Sequence, residues 1–175
     1  MTPLLTFING EAADCLSSHD RGLAYGHGVF ETMRLHQGAI PLRHLHLERL
    51  AQGLERLAIP STVDAVVQVL DRVLPAMPDQ GIVKLMVTAG VGTRGYRCTT
   101  EAKATIITHW HPAPAVPESM SLQLCRYRLP ANPVLAGIKH LNRLDQVLAA
   151  AELTGDRQGL LLDCNDQVVE ALSHN

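Results

Sequence analysis

With 175 residues, 46% hydrophobic and 18% charged, the chain has room for a real core and lacks the polar bias of a disordered protein. A net charge of −2 with no basic run argues against a nucleic-acid partner, and no apolar run approaches a membrane span. The N-terminal "MTPLLTFINGEAAD" has no basic n-region, and Cys15, Cys98, Cys125 and Cys164 are scattered without paired spacing. These features read as a cytoplasmic protein with reduced thiols rather than a disulfide framework.

Taken in chain order, "LLTFING" reads as a strand ended by the turn pair Asn9-Gly10. After "DRGLAYGHG", the segment "VFETMRLHQGAIPL" reads as a hairpin turning at Gln37-Gly38. Its alternation places Phe30, Thr32 and Arg34 on one face and Val29, Glu31 and Met33 on the other. Leucines at 42, 45, 50, 54 and 57 mark a helix, and a second helix follows Ser61-Thr62 to about Leu74-Pro75. "GIVKLMVTAG" and "KATIITHW" read as buried strands joined by a glycine-rich loop. The proline-rich "HPAPAVPES" reads as a linker. Beyond it come a strand in "MSLQLCRYRL" and a helix capped by Asn142 that runs to about Leu153. A strand pair turning at Asn165-Asp166 follows.

Nine histidines invite a metal reading. His44 and His46 are two apart, which on a helix points them to different faces, and His109 and His111 flank a tryptophan. No pair has the helical spacing of a zinc site, so no metal is expected. "GVGTRG", residues 90 to 95, matches G-x-G-x-x-G after a strand. A dinucleotide site also needs a helix opening at the last glycine, and loop then strand follows instead.

The lysines are more informative. There are three, Lys84, Lys103 and Lys139, against twelve arginines. Lysine differs from arginine in that its amine can lose its proton and attack a carbonyl. Lys139 lies in "AGIKHLNRLDQVLAA", just ahead of the third expected helix; its bland reading is a solvated surface lysine.

The blocks "DRGLAYGHGVFETMRL", "HLHLERL", "GTRGY", "GIKHLNRLDQVLAA", "VVE" and "SHN", in this order, decide between the two. The chain resembles the fold type IV pyridoxal-phosphate enzymes, which include branched-chain aminotransferases, D-amino-acid aminotransferases and aminodeoxychorismate lyases. "AGIKHLNRLDQVL" and "RGY" look most like the lyases. The resemblance implies an α/β, two-domain α+β fold. Residues 1–112 would form a small α+β domain, 113–120 a linker, and 121–175 the beginning of a larger cofactor domain.

It also implies residue roles. Lys139 matches the lysine that carries pyridoxal 5'-phosphate, Glu170 the acidic partner of the pyridine nitrogen, and Arg49 the phosphate-binding arginine. Phe30 and Thr32 would line the substrate face. Arg94 and Tyr96 match the loop that handles the substrate carboxylate, in several members from the partner subunit of a homodimer. The small-molecule substrate would be 4-amino-4-deoxychorismate, split to p-aminobenzoate and pyruvate in folate synthesis. An aminotransferase of the same fold is one alternative, and a non-catalytic fragment or dimerisation module is another. Three positions depart from the family pattern. His27 replaces a usual aspartate and Ala171 a common glycine. The chain stops at Asn175, where the family continues, so a truncated chain is expected.

Overall fold

The computed structural model describes residues 5–99 and 101–173. The end of the "SHN" block, His174 and Asn175, lies outside the described residues. The chain forms two compact units, one running to Pro114 and including Gly137–Leu141, the other made of Ala115–Ala136 and the chain from Asn142 onward. Among the described residues no helix is long and apolar enough to cross a membrane.

The first unit is built on an antiparallel sheet. β1 (Leu5–Ile8) and β2 (Glu11–Ala12) form a hairpin, with Asn9 and Gly10 both at positive φ as its two-residue turn requires. A short helix α1 (Arg21–Tyr25) leads into β3 (Gly28–Leu35). Helices α2 (Arg43–Arg56) and α3 (Val63–Val73) follow, then β4 (Gly81–Thr88) and β5 (Thr105–His111). The strand order is β2-β1-β5-β4-β3, so β3 is an edge strand.

The alternation read in β3 is present: Val29, Glu31 and Met33 are buried, whereas Thr32 and Arg34 are exposed. Val29, Met33, Val83, Leu85 and Val87 join Leu50, Leu54, Val66 and Leu70 of the two helices in one core. Thr62 caps α3 by accepting the N–H of Ala65.

The leucine stripe of α2 is only partly buried. Leu50 and Leu54 are in the core, but Leu42 and Leu45 are exposed. Leu42 sits outside the helix at φ 55°, so the chain enters α2 from a left-handed turn that leaves its first turn off the sheet. The turn at Gln37-Gly38 also forms, with both residues at positive φ. Its return arm is a single bridge, His36 to Ala39, while β3 pairs along its whole length with β4.

In the second unit β6 (Leu122–Leu129) runs parallel to β7 (Gln158–Asp163), which pairs antiparallel with β8 (Val168–Ala171). A parallel pair needs a crossover, and α4 (Leu144–Ala150) lies within it. The β6–β7 register shifts between Leu124 and Arg128, and the Glu152 carboxylate accepts the N–H groups of Arg126 and Tyr127 there. Those bonds, that of Arg126 first, hold the Glu152 carboxyl below the usual range. The expected cap at Asn142 is not realised. Arg143 occupies the cap position, without a side-chain cap bond, and α4 ends at Ala150 rather than Leu153.

Candidate active site

Lys139 is positioned by backbone pairing. The segment Gly137–Leu141 lies along the outer edge of β3: Phe30 donates its N–H to the Lys139 carbonyl at 2.8 Å, and Leu141 donates to the Gly28 carbonyl at 2.9 Å. Val29 and His140 form the bridge between them. The edge strand thus receives the lysine segment as a short extra strand, which satisfies N–H and C=O groups that would otherwise be unpaired. Gly28 makes this approach possible. A Cβ there would come within 2.5 Å of the Leu141 side chain and 2.8 Å of the Val87 carbonyl. Lys139 is half-buried, and its amine lies 5.0 Å from the centroid of the Phe30 ring. Phe30 and Lys139 are therefore brought together, with Thr32 two residues further along the same face.

Arg49 belongs to the other face of β3. Its Nε donates to Glu31 at 2.7 Å and its Nη2 to the second Glu31 oxygen at 2.5 Å, a bidentate pair. His46 Nδ1 lies 2.7 Å from that second oxygen. The Glu31 side chain is only 2% exposed and that of Arg49 is 42% exposed. The hydrogen bond to Glu31 pushes the Arg49 guanidinium pKa above its ordinary value, against the effect of partial burial. The pair uses two of the five guanidinium N–H groups, so the exposed part of the fork retains the chemistry to grip an anion. Glu31 and His46 were not singled out from sequence. The signal was present for Glu31, since a glutamate on the apolar side of a strand must find a cationic partner.

Arg94 and Tyr96 are exposed, on a loop wrapped against α1. Arg21, itself buried, donates to the carbonyls of Gly95 and Tyr96 and to His27 Nδ1 at 3.2 Å. His27 Nε2 reaches the Leu57 carbonyl at 2.7 Å. The residue that departs from the family's aspartate therefore braces Arg21 from behind. The Tyr96 side chain packs on Tyr25, with ring centroids 5.4 Å apart, yet the residue is 87% exposed.

The glycines of "GVGTRG" serve this wrapping. A Cβ on Gly92 would meet the Arg21 side chain at 2.8 Å, and no helix follows the motif. Asp20 anchors the whole arrangement: fully buried, it accepts the N–H of Gly22 and the hydroxyls of Thr88 and Thr105. Asp20→Ala strands those three donors and removes the α1 cap. It is expected to cost about 2–4 kcal/mol in urea unfolding.

In the second unit Glu170, on β8, is half-buried and accepts from Gln146 Nε2 of α4 at 2.9 Å. This bond engages one carboxylate oxygen.

Residues 28–175 match the model of the amino-transferase class IV family. The chain belongs to that family. Within it, the chain is 30% identical to an aminodeoxychorismate lyase of Vibrio harveyi over 97% of its own length and 65% of that protein. The 4-amino-4-deoxychorismate lyase structure from Pseudomonas aeruginosa is 44% identical, with a TM-score of 0.90 over 97% of this chain and 65% of that one. The branched-chain aminotransferase of Escherichia coli, at 18% identity and a TM-score of 0.80, covers 96% of this chain and 61% of its own, and shares the fold. The fold is type IV of the pyridoxal-phosphate enzymes, as the sequence resemblance implies. The chain thus spans just under two thirds of the length of these class IV relatives.

Proposed function

We propose that the protein is a pyridoxal-phosphate-dependent lyase that converts 4-amino-4-deoxychorismate to p-aminobenzoate and pyruvate. The observation that carries the reading is Lys139: a lysine of a class IV chain, pinned by its backbone to the sheet edge with its amine against Phe30. The similarity to two lyases over almost the whole chain supports it. Each group by itself has the chemistry the cofactor needs: a half-buried amine, an arginine with N–H groups beyond those given to Glu31 and, in the second unit, a carboxylate on β8.

Pyridoxal phosphate, when bound, supplies a carbonyl for an amine and a ring that accepts electron density. Lys139 is the anchor for that carbonyl. Its amine then takes the proton from the amine-bearing carbon of the substrate. Loss of the enolpyruvyl oxygen substituent as pyruvate leaves an aromatic ring. Arg49 binds the phosphate, and Glu170 keeps a proton on the pyridine nitrogen. Glu170→Gln is expected to leave cofactor absorbance in place and to slow turnover by about a hundredfold, with KM little changed, since a charge matters most as negative charge develops. Normal turnover by this variant would remove the role of Glu170.

Arg94 and Tyr96, on their exposed loop, are proposed to serve the site of a partner subunit in a homodimer. Mixing inactive Lys139→Ala and Arg94→Ala subunits should restore activity, to about a quarter of wild type, because one site of each mixed dimer keeps both residues. Absence of any recovery in subunits shown to exchange would exclude the arrangement.

An aminotransferase of the same fold is the second reading, favoured by the shared fold of the Escherichia coli enzyme. Assaying the full-length protein for p-aminobenzoate release and for amino transfer from branched-chain and D-amino acids separates the two. Release without transfer is expected, and transfer alone would overturn the lyase reading.

A further inference from the structure

Arg21 is a buried cation met by neutral groups. It is 2% exposed, and none of the ion pairs among the described residues involves it. The neighbouring Asp20 gives its oxygens to Gly22, Thr88 and Thr105. The Arg21 guanidinium is met instead by the carbonyls of Gly95 and Tyr96, by the face of the Tyr25 ring at 5.0 Å, and by His27 Nδ1. A buried guanidinium needs acceptors for its N–H groups, and the loop of residues 92–96 supplies two carbonyls for that purpose.

Only one form of the His27 ring satisfies both of its neighbours. Arg21 Nε has a hydrogen to donate and no lone pair, so His27 Nδ1, 3.2 Å away, must be bare. The Leu57 carbonyl can only accept, so Nε2, 2.7 Å from it, carries the ring hydrogen. Leu57 closes α2, the helix whose Leu50 and Leu54 lie in the core. The end of a core helix thus sets the tautomer, and the tautomer presents a lone pair to Arg21.

We infer that His27 is a positioning residue for the loop that carries Arg94 and Tyr96. Its bare Nδ1 fixes the orientation of the Arg21 guanidinium, whose two terminal nitrogens then hold the carbonyls of Gly95 and Tyr96. A side chain without an acceptor at position 27 leaves the Arg21 Nε–H buried and unpaired. The guanidinium then turns away, and the two carbonyls lose the donors that hold them. The family's usual aspartate would offer an acceptor through its charge, whereas His27 offers one through its tautomer. The use of this loop at a partner's site rests on the homodimer reading above; the placement of the loop does not.

Nitrogen NMR of histidine-labelled full-length protein, with the signal assigned by its loss in His27→Asn, should show Nε2 protonated and Nδ1 bare. A hydrogen on Nδ1 overturns the inference, whatever the variants do. Amide hydrogen exchange is then followed by mass spectrometry on peptides covering residues 92–97. It should be about tenfold or more faster in His27→Leu and His27→Phe than in wild type, the scale of one hydrogen bond to a charged group. His27→Asn and His27→Asp, which restore an acceptor, should stay near wild type. Wild-type exchange in a folded variant without an acceptor overturns the inference. So does exchange in His27→Asn and His27→Asp as fast as in the other two, because packing alone then accounts for the loop. Faster exchange in His27→Leu with an unchanged KM for 4-amino-4-deoxychorismate leaves the positioning role standing and removes the loop from the partner's site.

Discussion

Lys139→Ala is expected to reduce p-aminobenzoate release by more than about a thousandfold, because one amine serves as both covalent anchor and proton carrier. The loss should be chemical rather than structural. The hydrogen bonds that hold this segment to β3 use the backbone carbonyl of Lys139 and the N–H of Leu141, both of which alanine at 139 preserves. Unfolding midpoints should therefore shift by less than about 1 kcal/mol equivalent, as for a half-buried position whose pairing to the sheet runs through the backbone. Unchanged turnover in the variant would remove Lys139 from the chemistry. An inactive variant that also melts early would show that the side chain, and not only the backbone, builds the edge of the sheet.

Arg49→Ala should give the largest loss of stability. The Glu31 carboxylate, 2% exposed, would keep only His46 as a partner. Breaking a buried pair from one side typically costs about 3–5 kcal/mol, mainly because the remaining charge is uncompensated. Glu31→Gln removes that charge, leaves Arg49 able to turn toward solvent, and should cost only about 1–2 kcal/mol. The double variant Arg49→Ala with Glu31→Gln is then expected to be more stable than Arg49→Ala alone, a coupling that a denaturant-based double-mutant cycle reads directly. If Arg49→Ala unfolds at the wild-type midpoint, the pair is a surface contact and Arg49 is available entirely for ligand binding.

The legible parts of this chain are those governed by short-range periodicity. Two-residue alternation showed that Glu31 and Phe30 point to opposite faces of β3, and Asn9-Gly10 and Asn165-Asp166 marked real turns. The illegible parts depend on which distant segments meet. Glu31 was visibly on the apolar side, but its partners Arg49 and His46 come from a helix whose rotation against β3 is set by core packing. Asn142 marked the helix start to within one residue: Arg143 holds the cap position and α4 begins at Leu144, after a segment whose backbone pairs with β3 rather than following helical periodicity.

The account stands most directly on the identity of the lysine that holds the cofactor. Full-length protein loaded with pyridoxal phosphate, reduced with borohydride and digested, should carry its pyridoxyl adduct on the peptide containing "GIKHLNR", at Lys139. An adduct at Lys84 or Lys103, or none at all in protein that retains p-aminobenzoate release, would contradict it.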